Sequence, residues 1–155
     1  MVGYHIVDEP RAGKFSRLVV NPFWPLLALM LGGAWIAWPW FVFNGVAMGT
    51  ATKLREYALV AVAVLSSFIL GLLIIALYPD AELEAEGWRW ALVGLRVMKL
   101  AFAYWLFVLQ ERSIGLHRYF GGPVRNGVAI LIAAVLLRPF VLKLVDSDLW
   151  VLVMA

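Results

Sequence analysis

Four apolar runs, each about long enough to cross a lipid bilayer, occupy most of this chain. They cover residues 22–43, 57–78, 88–109 and 128–145 of 155. A helix needs about 20 apolar residues to cross a hydrocarbon core of about 30 Å. Helices and closed barrels are the structures that satisfy their own backbone in lipid. The runs therefore predict an all-α integral membrane protein built as a four-transmembrane-helix bundle.

The composition agrees with that fold class and limits the partners. The chain is 64% hydrophobic and 15% charged, with a mean hydropathy of +0.88, far outside the range of soluble domains. A polar or amphipathic tail (1–21) precedes the membrane domain (22–145), and a short C-terminal end (146–155) follows it. The net charge of +3 comes without a clustered basic face, so we expect no nucleic-acid partner. The absence of cysteine excludes disulfides and thiolate metal sites.

The first run contains the strongest helix-breaking residues. Pro25, the pair Gly32-Gly33 and Pro39 all fall within 22–43. Proline removes a helical donor and glycine loosens the backbone, so we predict a kinked first helix. The alternative is a re-entrant hairpin that bends at Gly32-Gly33, which lipid tolerates where protein covers the broken backbone.

The two alternatives differ in how the charges are distributed. Four full spans give nearly equal numbers of Lys and Arg on the two sides, so the positive-inside rule does not choose an orientation. A re-entrant first run instead places the tail, the first connector and the glycine-rich loop around residues 113–123 together inside. It leaves the acidic connector that follows residue 78 outside.

Two cations interrupt the third run at the same helix face. Arg96 and Lys99 are three residues apart and lie roughly 12–17 Å from Trp88 along a helix. A charge in hydrocarbon is costly unless it is hydrated or paired, and none of the four runs contains an acid. We expect these side chains to bind an anion, a lipid phosphate or an acidic residue of another subunit. A span displaced toward its C-terminus would instead leave both cations on an interfacial face.

The fourth run contains two further cations. Arg138 precedes Pro139, which frees a carbonyl one turn earlier in the same helix, and a guanidinium can donate to such a carbonyl. Arg138 is a candidate anion or partner contact. The alternative is a structural role, in which it only satisfies this kink. Lys143 lies near the end of the run and is expected to snorkel to the interface.

The segment after the third run contains the remaining candidate contacts. Arg112, His117 and Arg118 stand near aromatic residues and the pair Gly121-Gly122, which suits an anionic lipid headgroup or a partner surface. The alternative is an interfacial turn with charge anchors. The acidic connector holds carboxylates without the turn glycine of a calcium loop, so we interpret it as a solvated linker and predict no metal site.

No catalytic or cofactor-binding residue is predicted. His5 and His117 are the only histidines, which excludes a haem held between histidines inside the bundle and a two-histidine metal site on one helix. Ser66 and Ser67 have no histidine or acid nearby in sequence, and hydroxyls in a span usually bond a backbone carbonyl.

The preferred hypothesis is a non-enzymatic subunit of a homo- or hetero-oligomeric membrane complex. Its expected partners are the bilayer, other membrane chains and anionic lipid headgroups. One alternative is an oligomeric anion channel or a transporter of lipids or anions, and another is a membrane enzyme that uses the His117 segment on a lipid at the interface. The expected location is a bacterial inner membrane, which the protein would cross several times.

Overall fold

The computed structural model describes residues 15–78 and 86–155, with the side chain of Glu86 excepted, and helices joined by short connections make up this part of the chain. A 3-10 turn at Ser16–Leu18 precedes the helices. The helices are α1 (Phe23–Leu31), α2 (Ala34–Met48), α3 (Lys53–Leu77), α4 (Glu86–Tyr119), α5 (Val128–Leu142) and α6 (Asp148–Met154). The predictions for residues 1–14 of the tail and for the acidic connector at 79–85 lie outside the described residues.

The first apolar run forms two antiparallel helices rather than one kinked helix. The chain reverses at Gly32-Gly33, where Gly33 has a φ of +107°, a conformation that disfavours residues with a side chain. The Val20 amide donates to Asn44 Oδ1 at 3.0 Å, so the start of α1 lies beside the end of α2. The prediction of one kinked helix over 22–43 is therefore wrong, and the chain turns back at Gly32-Gly33, where the alternative placed its bend.

The second and third runs form the two long helices, α3 and α4, which pack antiparallel. Glu56 contacts Gln110 near one end, and the rings of Tyr78 and Trp88 lie 6.1 Å apart at the other. Both helices are long and apolar enough to cross a membrane, although only 22% of the most apolar 18-residue stretch of each is buried. Their apolar residues therefore mostly face outward instead of forming a core.

The fourth run and the C-terminal end form α5 and α6. α5 has 15 residues and lies beside α1, with Gly127 against Trp24 at its start. α6 packs on α3 at Gly71, where a Cβ would lie 2.8 Å from Leu149 Cδ1. Because α1, α2 and α5 are all shorter than about 20 residues, the predicted bundle of four full spans is not confirmed.

The ends of the helices divide the described residues into two poles. The start of α1 and the end of α2 lie at one pole with the start of α3 and the start of α5. At the other pole Tyr78, Trp88 and Asp148 line one cavity. The break at Gly33 lies between the poles, where a Cβ on Gly33 would be 2.6 Å from the carbonyl oxygen of Met154. The end of α1, the start of α2 and the end of α6 therefore meet inside the molecule.

Candidate functional site

Lys99 is buried where these helix ends meet. Its side chain is 3% exposed, and its ammonium donates to the backbone oxygens of Leu152, Val153 and Ala155 at 2.6, 3.0 and 3.5 Å. The last carbonyls of a helix have no partner within that helix and form the negative end of its dipole. The end of α6 thus supplies the negative partner that the apolar runs lack.

Arg138 has an equivalent role at the end of α1. Its Nη1 donates to the Leu31 oxygen at 3.3 Å. We predicted a bond to a carbonyl freed by Pro139 within the same helix, and the described bond instead goes to another helix. The physical reason is the same in both cases, because the last carbonyls of α1 also lack intrahelical partners.

Arg96 lines two adjoining cavities beside Lys99. The first, of about 450 Å³, has Asp148 in its lining, and the second, of about 390 Å³, has Arg138. Both cavities share Arg96, Lys99 and Ala155. The structure therefore brings Arg96, Lys99 and Arg138 together, and we call these three residues the cationic centre.

The cationic centre lies near the middle of the long helices. Lys99 is midway between Trp88 and Gln110, about 16 Å along the helix from each. Asp148, in the first turn of α6, lines the same cavity as Arg96. The sequence placed Asp148 in a short terminal segment, so its position beside the third run was not predicted.

A second buried group, which we call the polar lock, joins the hairpin to the long helices. Glu56, only 1% exposed, accepts at Oε2 from Gln110 Nε2 at 2.8 Å. The same Nε2 donates to the Phe41 oxygen at 2.8 Å, and Asn44 Nδ2 donates to Gln110 Oε1 at 3.1 Å. These amide and carboxyl groups therefore connect α2, α3 and α4 in one network.

Two hydroxyls complete the polar lock. Thr50 and Thr52 donate to Glu56 Oε1 at 2.9 and 2.8 Å. Every buried side-chain nitrogen and oxygen among the described residues has a hydrogen-bond partner. A carboxylate with three donors is stable when buried, which gives the polar lock a structural role.

The apolar runs do not predict the polar lock. Glu56 directly precedes the second run, and Gln110 directly follows the third. The sequence does contain one signal, because Gln110, Ile114 and His117 follow a helical spacing that places them on one face of a helix. The structure buries all three.

The predicted glycine-rich loop is helical as far as Tyr119. His117 is buried, its Nε2 lies 3.3 Å from the Pro123 oxygen, and its ring packs on Gly122. The fit of the ring against this turn indicates a structural role. Arg118 is exposed, whereas Arg112 lines a third cavity opposite Arg55. The structure therefore separates the three predicted contacts of this segment.

The pole that contains this segment is strongly basic. The Arg125 amide donates to the Val19 oxygen at 2.7 Å, and Arg125 Nε donates to the Arg17 oxygen at 2.8 Å, so the segment lies against the tail. We call this pole the basic end. Its described cations are Arg17, Lys53, Arg55, Arg112, Arg118 and Arg125.

Comparisons of the chain with protein-family models, with curated proteins and with solved structures find no match.

Proposed function

We propose that this chain is an integral membrane protein that crosses the bilayer with α3 and α4 and inserts the α1–α2 hairpin from one side. The outward apolar surface supports this placement. Leu65 and Ile69 on α3 are 60% and 59% exposed, and Val97 and Trp105 on α4 are 58% and 57% exposed. A continuous apolar surface of this kind is rare on soluble monomers and is what lipid or a membrane partner covers.

The distribution of charge supports one orientation. Six described cations lie at the basic end, against Arg89 and Lys143 toward the other pole, where Asp146 and Asp148 also lie. Lys and Arg near the ends of spans favour the cytoplasmic side. The basic end is therefore cytoplasmic in this proposal, and a bacterial inner membrane remains the predicted location.

Within the membrane we propose a non-enzymatic subunit whose cationic centre accepts an oxyanion. The observation that carries this proposal is the position of Arg96, which lines both cavities beside a Lys99 already bonded to backbone. A guanidinium at this depth is stabilised by a carboxylate or phosphate, to which it can donate two parallel bonds. The oxyanion belongs either to an acidic residue of a neighbouring chain or to a lipid.

Native mass spectrometry of the complex extracted in mild detergent tests the proposal and separates the two sources. We expect a mass above the 17.3 kDa of one chain, from bound chains or from bound lipid. Arg96→Gln should lose the chain or lipid bound at the cationic centre, whereas Arg118→Gln, on the same helix but outside the cavities, should retain it. A bare monomer from both the wild type and Arg96→Gln would contradict the proposal.

A second candidate is an anion pathway through an oligomer. Its supporting observation is that the two cavities meet at Arg96 and Lys99, one lined by Tyr78 and Trp88 and the other by Met30. Chloride flux into liposomes that Arg96→Gln reduces would favour this function. No flux from an oligomer of confirmed stoichiometry would exclude it.

A further inference from the structure

A third cavity, separate from the cationic centre, opens at the basic end between α3 and α4. Its volume is about 270 Å³, and arginines from both helices flank it. Its lining residues are Thr50, Ala51, Thr52, Arg55, Leu109, Arg112, Ser113 and Leu116. The lining thus combines two guanidiniums, three hydroxyls and an apolar wall.

The polar lock fixes the two arginines at the same level. Arg55 directly precedes Glu56, and Arg112 lies two residues beyond Gln110, whose amide bonds Glu56 at 2.8 Å. The nearby Glu56 carboxylate already accepts from Thr50, Thr52 and Gln110, which occupy three of its four lone pairs. Within residues 15–78 and 87–155, neither guanidinium makes a hydrogen bond, and both side chains are exposed.

The depth of the cavity matches the phosphate layer of a bilayer. Arg112 lies about 19 Å along α4 from Lys99, the middle of the long helices. Half of the hydrocarbon core is about 15 Å thick, and the headgroup region continues several ångströms beyond it. This step rests on the membrane placement proposed above.

We propose that the cavity between Arg55 and Arg112 binds the phosphate of an anionic lipid headgroup. Paired guanidiniums match phosphate oxygens in shape and charge, whereas the Ser113 hydroxyl beside them already donates to the Leu109 oxygen at 3.4 Å. Leu109, one turn nearer the middle of α4 than Arg112, provides an apolar wall for the lipid's glycerol and the first acyl carbons. The other cations of the basic end attract the same anionic leaflet without forming this cavity.

The test is a native mass spectrometry titration of the full chain in neutral detergent, with phosphatidylglycerol and phosphatidylcholine as probes. The double variant Arg55→Gln/Arg112→Gln should weaken phosphatidylglycerol binding by about fivefold per arginine, or about 25-fold in total, because each guanidinium donates directly to the phosphate. The matched control Lys53→Gln/Arg118→Gln removes the same charge at the same pole outside the cavity. It should weaken binding by less than about threefold.

Three results would overturn the inference. These are equal losses in the two double variants, equal binding of the two lipids, and full displacement of phosphatidylglycerol by an equal concentration of inorganic phosphate. An unchanged thermal midpoint for the double variant shows that the fold is intact. If the protein stays in membranes but phosphatidylglycerol binding is unchanged, only this inference fails. If the wild type does not associate with membranes, the proposed function fails as well.

Discussion

Gly45 lies where α2 approaches α3 most closely, so its substitution tests the packing of the polar lock. An ideal Cβ at this position would lie 2.5 Å from Glu56 Oε2 and 3.5 Å from Gln110 Nε2. The first distance is about 1 Å shorter than ordinary van der Waals contact. Gly45→Ala must therefore displace the Glu56 carboxylate or move the helices apart.

The expected cost follows from opposing contributions. An alanine in an exposed helix is favoured over glycine by about 0.8–1.0 kcal/mol. Overpacking costs about 1–3 kcal/mol, and breaking the bond between Gln110 and Glu56 leaves a buried group unsatisfied at about 1–3 kcal/mol. We therefore expect Gly45→Ala to lower the free energy of unfolding by about 1–5 kcal/mol.

Thermal unfolding in detergent, followed by tryptophan fluorescence, measures this effect. The matched control is Gly94→Ala in α4, because no atom lies within 4 Å of a Cβ there. Gly94→Ala should raise the midpoint through a gain of about 0.5–1 kcal/mol, and Gly45→Ala should lower it. A Gly45→Ala protein with a raised midpoint equal to that of Gly94→Ala would refute the close approach.

Three further substitutions are assessed by the same unfolding assay. Glu56→Gln keeps the shape of the side chain but replaces one acceptor with a donor, so the bond from Gln110 conflicts and stability should fall by about 1–3 kcal/mol; an unchanged midpoint would contradict the described network. Gly33→Ala and Gly121→Ala both place a Cβ at a positive φ, +107° and +77°, which costs about 1–2 kcal/mol in each case. Only the first would also contact the Met154 oxygen, so its loss should be clearly larger, and equal losses would count against the described end of α6.

The long helices were predictable because their signal is local. Residues 57–78 and 88–109 are apolar over the length of a span, and they lie within α3 and α4 to within one residue. The break at Gly32-Gly33 could be weighed but not decided. Whether the run folds back depends on hydrogen bonds between residues far apart in sequence, such as the one from the Val20 amide to Asn44. Sequence spacing does not reveal these bonds.

The contacts of the charged side chains were not predictable for a different reason. Lys99 is held by backbone oxygens, which every residue carries, so no residue type in the sequence marks the partner. Glu56 and Gln110 are far apart in the chain, and each stands at the edge of an apolar run, where a solvated position is the usual expectation. Tertiary packing of the hairpin is what buries both.

In the proposed membrane placement, the first apolar run enters and leaves on the same side of the bilayer. The chain has no cysteine, so single-cysteine variants can be labelled without background. We would place cysteines at Ser16, Lys53 and Ser147 and apply a membrane-impermeant maleimide to sealed vesicles of each orientation. The account predicts that Ser16→Cys and Lys53→Cys react from the same, cytoplasmic face and Ser147→Cys from the opposite face. Reaction of Ser16→Cys and Lys53→Cys from opposite faces would show that the run crosses, and would contradict the account.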